Sequence, residues 1–325
     1  MIGITSTVPI EIIMAGGEVP VDLNNLFITH PERSRLLSEA ERFGFPNNQC
    51  SWVKGIFQVA IESGIKKVVG VTRGDCSSTE KLMEIFNVLG IKSIPFAYPA
   101  NRDRSSLLKE LNNFARHFGT NLRQAERVRK RLSGIRRKLS ELDRMTWHSN
   151  QVSGFENHLW LVSASDFNRD TEKFEKELED FLREAENRPA FSQRIRLGYI
   201  GVPPIFDDLY EILEQMDARV VYNETQREFA MIKPVQNLVE QYLKYTYPYD
   251  IFYRVKEIKK ELKKRKVDGV IHYAQTFCHR QMESVVFKRV LNLPVLSLEG
   301  DRPGMLDART RTRLEAFVEM LKQKV

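Results

Sequence analysis

The feature that most constrains this chain is a rhythm of short β-branched runs and glycine-stopped amphipathic stretches, written once near each end. In the first stretch, 2–7 reads as a strand, 10–14 carries apolar helical spacing up to Gly16 and Gly17, and 20–23 reads as a second extended piece. Helical spacing returns at 51–63, where Val53, Ile56, Phe57, Ala60 and Ile61 share a face and Gly64 stops the helix. KKVVGVT at 66–72 then reads as a buried strand, 79–89 as a helix stopped by Gly90, and 91–99 as the next strand. The last third repeats the rhythm, with strands at 195–203, 218–224, 267–274 and 293–299 and helices at 206–216, 235–245, 253–266, 278–291 and 307–322. Such alternation predicts parallel sheets and an α/β fold.

Between these stretches, from 105 to 188, the sequence is long, charged and helical, with an apolar series through Leu122, Val128, Leu132, Ile135, Leu139 and Leu142. A second charged helix is expected at 171–185. The simplest organisation is an N-terminal α/β domain over 1–115, a helical connector over 116–193 and a C-terminal α/β domain over 194–325. A chain of 325 residues is comfortable as two domains and buries a large core. No apolar run approaches the ~18–20 residues of a membrane span. The first twenty residues lack a basic segment and carry Glu11 and Glu18, so a signal peptide is not expected and the cytoplasm is the expected compartment.

The net charge is +7, and it is localised: between Arg116 and Arg144 there are ten Arg or Lys against three Asp or Glu, while the rest of the chain is neutral. Neither a nucleic-acid partner nor a membrane is therefore expected. The tyrosines Tyr242, Tyr245, Tyr247, Tyr249 and Tyr253 gather around Pro248 and read as packing at a helix end.

Three cysteines, Cys50, Cys76 and Cys278, each fall at or just before the start of a predicted helix, two of them one short turn (RGD or QTF) after a predicted strand. An odd number argues against a disulfide framework. Ligands of open α/β sheets bind beyond the carboxyl ends of strands, and a helix N-terminus favours thiolate. The competing interpretation is three buried thiols that act as small hydrophobes. Three thiolates without a fourth partner suit an iron–sulfur cluster with one open iron. Zinc would need His279 or His30 as a fourth ligand.

Together these residues resemble the 2-hydroxyacyl-CoA dehydratase and benzoyl-CoA reductase family, specifically its iron–sulfur subunits of the D-component type. The matching stretches are VPIEIIMAGGEVPVDL (8–23), Cys50 before its helix, GDCSST (74–79) and the long block 268–321. The resemblance covers both α/β stretches and is weak across 116–190. It implies two flavodoxin-like or Rossmann-like parallel-sheet domains, with one 4Fe–4S cluster in the cleft between them held by Cys50, Cys76 and Cys278. It implies low-potential one-electron dehydration or reduction, with the electron delivered by a separate ATP-hydrolysing activator protein, and an acyl-CoA as substrate. In the dehydratase version a 2-hydroxyacyl thioester is reduced to a ketyl radical, which expels the hydroxyl. The chain itself has no P-loop and no G-x-G-x-x-G. A homodimer or a paralogous iron–sulfur subunit would complete the enzyme.

Candidate catalytic residues are those beside the cysteines at the same sheet edges: Arg73, Ser77, His279 and Glu299. Asp75, Ser78, Gln275, Thr276, Asp301 and Arg302 lie near them. Simpler roles compete: Ser77 as a helix cap, Asp75 as a turn residue, and Glu299 with Arg302 as a local ion pair. The basic run 116–144 reads first as a solvated helix face, and otherwise as a contact for CoA phosphates or an acidic partner. Two further functions compete with the enzyme: an electron-transfer or scaffold subunit for a catalytic paralogue, and an α/β binding protein with buried thiols.

Overall fold

A computed structural model describes residues 1–324. The first stretch folds as β1 (Ile2–Ile4), α1 (Ile10–Ala15), β2 (Pro20–Asp22), α2 (Leu23–Ile28), α3 (Arg33–Phe43), α4 (Ser51–Glu62), β3 (Lys67–Arg73), α5 (Thr79–Val88), β4 (Lys92–Ala97) and α6 (Arg104–His117). Three helices follow: α7 (Leu122–Arg144), α8 (Gly154–Ser163) and α9 (Thr171–Glu186). The last stretch folds as β5 (Ile195–Gly201), α10 (Leu209–Gln215), β6 (Ala218–Asn223), α11 (Glu224–Ala230), α12 (Leu238–Lys244), α13 (Ile251–Lys264), β7 (Gly269–Gln275), α14 (Glu283–Val290), β8 (Val295–Gly300) and α15 (Ala308–Lys322).

The strands form two four-stranded parallel sheets, ordered β2-β1-β3-β4 and β6-β5-β7-β8. The α/β expectation of two flavodoxin-like or Rossmann-like sheets therefore holds. Strands β6 and β7 are buried along their whole length, as strands covered on both faces are.

Helices α2 and α11, of six and seven residues, are too short for hydropathy periodicity to announce them. The sequence of α2 is LNNLFI, and it is secured by its cap: the Asp22 carboxylate accepts from the Asn24 amide at 2.9 Å. Helix α11 begins ETQRE, and all five of these polar side chains are buried. The helix expected at 278–291 opens instead as a 3-10 turn, His279–Met282, before α14. Such tighter turns are common at helix N-termini.

The chain packs as two compact units. The first comprises Met1–Arg137, Ser163–Glu175 and Phe229–Asp250; the second comprises Lys138–Val162, Lys176–Glu228 and the chain from Ile251 onward. The segment 116–193 is thus divided between them.

In the first unit, Glu11 of α1 is fully buried and holds three elements together. Its carboxylate meets Arg136 of α7 at 2.7 Å and accepts hydrogen bonds from Gln241 and Tyr242 of α12, each at 2.7 Å. Part of the basic run therefore lies inside the protein: Arg136 and Arg129 are buried, the latter paired with Glu126. Arg123, Arg127, Lys130, Arg131 and Arg137 are exposed, as the solvated-face reading expects. The tyrosines pack as anticipated. Tyr242, Tyr245 and Tyr247 are buried, and Tyr98 joins them, its hydroxyl donating to the Thr7 carbonyl at 2.9 Å.

A pair of buried acids, Asp22 and Asp166, sits at the end of β2. Asp166 accepts from the Asp22 amide at 2.8 Å and the Asn168 amide at 2.9 Å. Burial, then the nearby Asp22 charge, pushes Asp166 up to about 7. Because this folded-state value lies above the ordinary 3.8, the associated stability is present in acid and lost as pH rises through about 7. Denaturant titrations of the wild type are expected to lose about 2–3 kcal/mol between about pH 5 and pH 8, a loss that Asp166→Asn does not show. Parallel pH profiles for the two proteins would contradict this.

Candidate metal centre

In each sheet the chain leaves the first strand toward one edge and later crosses to the other. The topological switch points therefore lie between β1 and β3 and between β5 and β7. Crevices beyond the carboxyl ends of the strands at such points are the usual ligand sites of open α/β sheets. Cys76 is the third residue past β3, and Cys278 is the third residue past β7. Both seven-residue strands thus present a cysteine at the same place.

Each turn is built for this presentation. Gly74, at φ +102°, turns the chain after β3, and Phe277, at φ 64°, does so after β7. A left-handed Phe is costly, and strain of this kind gathers at functional sites. The Cys278 turn is held by its own amide donating to the Gln275 carbonyl at 3.0 Å, and by the Thr276 amide and hydroxyl donating to the Gly300 carbonyl at 2.8 and 2.9 Å. Gln281 closes it by donating to the Gln275 carbonyl at 3.1 Å.

Cys50 belongs to the first unit, as the N-cap of α4. Buried Lys54, one turn further on, pairs with Glu41 at 2.7 Å and donates to the Asn47 carbonyl at 3.2 Å, which fixes the loop that delivers Cys50. The Cys50 and Cys76 turns are joined by Gln49, whose side-chain amide donates to the Ser78 hydroxyl at 3.3 Å.

All three cysteines are free thiols of intermediate exposure. A helix start alone would favour thiolate, but Cys76 is shifted the other way. Burial first, and the Asp75 charge second, push its thiol up, outweighing hydrogen bonds from the Ser78 amide and the Thr79 and Ser78 hydroxyls. A metal reverses that balance by displacing the proton, and those same donors suit a sulfur that carries charge. Next to Cys50, the Ser51 hydroxyl is fully buried and has no hydrogen-bond partner among the described residues. An inorganic sulfide would give it an acceptor. Three soft donors, donors to one of their sulfurs and an orphaned hydroxyl fit an iron–sulfur group. Among the described residues, no three His, Cys, Asp or Glu side chains form a set that could hold a metal ion. In a cubane each thiolate binds a different iron.

A family model for the 2-hydroxyglutaryl-CoA dehydratase D-component matches residues 5–321, nearly the whole chain. The chain belongs to that family. A search of curated proteins finds no match. Membership supports a subunit of the 2-hydroxyacyl-CoA dehydratase type. Among the described residues, no helix is long and apolar enough to cross a membrane.

The other residues singled out from the sequence of this D-component relative fall as follows. Arg73 is exposed at the end of β3, and its Nε donates to the Tyr98 carbonyl at 2.8 Å. Ser77 is exposed, and its neighbour Ser78 is the serine beside the Cys76 sulfur. His279 is exposed, in the 3-10 turn after Cys278. Glu299 is exposed near the end of β8 and accepts from Gln281 at 3.3 Å. Glu299 and Thr276 also line a cavity of about 570 Å³ with Asp301, Arg302, Arg309 and Arg313. The sequence reading missed Gln49 and Ser51. Their adjacency to Cys50 was the only available signal.

Proposed function

We propose that the chain is an iron–sulfur enzyme, or enzyme subunit, of the 2-hydroxyacyl-CoA dehydratase family, in which Cys50, Cys76 and Cys278 together hold one 4Fe–4S cluster. The reaction is a low-potential one-electron dehydration or reduction of an acyl-CoA, energised by a separate ATP-hydrolysing activator. The observation that carries this reading is the placement of Cys76 and Cys278 at the same position past the third strand of two identically ordered sheets.

When bound, the group supplies one electron and an iron that polarises a substrate oxygen. The chain's own residues do the rest. Ser78 and Thr79 hydrogen-bond the Cys76 sulfur, and the unpartnered Ser51 hydroxyl next to Cys50 is a further donor for the group. Arg302, Arg309 and Arg313 give the cavity beyond β8 donors for phosphate or carboxylate oxygens. Glu299, in the same cavity, and His279, beside Cys278, are the groups assigned to proton transfer. Arg73 and Ser77 orient substrate at the Cys76 turn. The enzyme is completed by a second copy of the chain or by a paralogous iron–sulfur subunit.

The test is turnover. The chain is reconstituted without oxygen and supplied with activator, ATP and a panel of 2-hydroxyacyl-CoA thioesters. Enoyl-CoA formation by this chain alone makes it catalytic. Formation only after a paralogue is added makes it an electron-transfer or scaffold subunit. A chain that takes up no iron and supports no turnover in either mixture would overturn the proposal.

A further inference from the structure

The residue ranges 2–117 and 195–322 share one succession of elements: strand, helix, strand, three helices, strand, helix, strand, helix, with a 3-10 turn preceding α14 in the second. The correspondence extends to detail. In both, the second strand runs into the next helix without a break, at Asp22–Leu23 and at Asn223–Glu224. In both, the third strand is followed by a cysteine at its third residue, Cys76 or Cys278. The third helix of the trio is α4 in one and α13 in the other. The residue that precedes α4 is Cys50, and the residue that precedes α13 is Asp250. Each follows an aromatic–proline pair, Phe45-Pro46 or Tyr247-Pro248. The fold therefore repeats a pair of positions, Cys50 with Cys76 and Asp250 with Cys278, in which the second copy has a carboxylate where the first has a thiol.

Packing within the first unit adds an independent observation, because Asp250 belongs to that unit together with Cys50 and Cys76. The backbone of Gly74, in the Cys76 turn, lies against Pro248: a Cβ on Gly74 would meet the Pro248 Cβ at 2.8 Å and its carbonyl oxygen at 2.9 Å. Tyr249 packs edge-on to Tyr98, with ring centroids 6.0 Å apart, and the Tyr98 carbonyl accepts from Arg73 at the end of β3. Gln49 joins the Cys50 turn to the same place through Ser78. The Cys50, Cys76 and Asp250 loops thus meet at one end of the first sheet. Tyr245, Tyr247 and Pro248 are buried, and Asp250 is exposed.

We propose that the Asp250 carboxylate is the fourth protein ligand of the cluster, binding the iron left open by the three cysteines when substrate is absent. This rests on the three-cysteine reading above. A carboxylate is a hard donor among soft ones, so it is the ligand most readily exchanged.

The test is Mössbauer and EPR spectroscopy of the full chain reconstituted without oxygen, alongside Asp250→Asn and Asp250→Cys, with iron content and thermal unfolding measured for each. Asn keeps the helix-capping ability of Asp but removes its charge. The wild type is expected to show one iron site with oxygen-ligated parameters. In Asp250→Asn that site's signal shifts while the iron content is retained, and in Asp250→Cys it moves to the all-thiolate type. Wild-type and Asp250→Asn spectra that superpose at equal iron content would overturn the assignment of Asp250 and leave the three cysteines standing. If Asp250→Asn unfolds, Asp250→Cys decides: an all-thiolate spectrum supports the assignment, and an unchanged one overturns it. A wild type that binds no iron overturns both readings.

Discussion

Replacing Arg265 with Met is expected to destabilise the second unit by about 3–5 kcal/mol, the cost of removing one partner from a buried ion pair. The Arg265 side chain is fully buried. It donates to both carboxylate oxygens of Asp143, at 2.9 and 2.5 Å, to Glu261 at 3.0 Å and to the Val221 carbonyl at 2.8 Å. Burial works to raise Asp143, and the Arg265 and Arg227 charges outweigh it and hold its carboxyl low. Without Arg265, Asp143 keeps only the Asn157 amide and Arg227 at 3.4 Å, and Glu261 keeps Arg227 at 3.6 Å. Two buried carboxylates would then share one guanidinium that makes no well-formed hydrogen bond to either. Urea unfolding of Arg265→Met, Asp143→Leu and the double variant checks this. The double variant is expected to lose clearly less than the sum of the singles, because the two side chains are coupled. Strict additivity would contradict it.

Glu11→Gln is the second large effect, expected to cost the first unit about 3 kcal/mol or more by leaving Arg136 buried without its charge partner. Burial acts to raise the Glu11 carboxyl, and Arg136, Gln241 and Tyr242 overcome this and hold it below the ordinary 4.5. The stability tied to Glu11 is therefore complete above about pH 4.5 and is lost as pH falls through its lower folded value. The wild type is thus expected to lose its advantage over Glu11→Gln on acidification. A stability gap that stays constant from neutral pH to about pH 3 would contradict the assignment.

Both networks show which parts of this molecule a sequence hides. Arg136 stands in the most basic run of the chain and reads as a surface cation, yet its partner Glu11 lies more than a hundred residues away. Helix α11 reads as polar and is buried, because Glu224 is hydrogen-bonded by Arg254 and the Arg227 charge is balanced by the nearby carboxylates of Asp143 and Glu261. Hydropathy periodicity reports apolar burial and is silent on burial secured by ion pairs. The strands were legible because parallel strands covered on both faces are short continuous β-branched runs, as in KKVVGVT. The cysteine positions were legible for the same reason, since each follows a strand or opens a helix with a recognisable boundary. The thiol chemistry was only half legible: the helix starts were seen, but the burial and the Asp75 charge that raise Cys76 depend on packing. The correspondence between Cys50 and Asp250 became visible only with the order of the helices in hand.

One cluster on three cysteines is tested most directly by iron and acid-labile sulfide per chain in protein purified and reconstituted without oxygen. About four of each per chain are expected, with both lost together in Cys50→Ser, Cys76→Ser and Cys278→Ser while the fold is retained. A colourless, iron-free wild type, or full iron retention in the three serine variants, would contradict it.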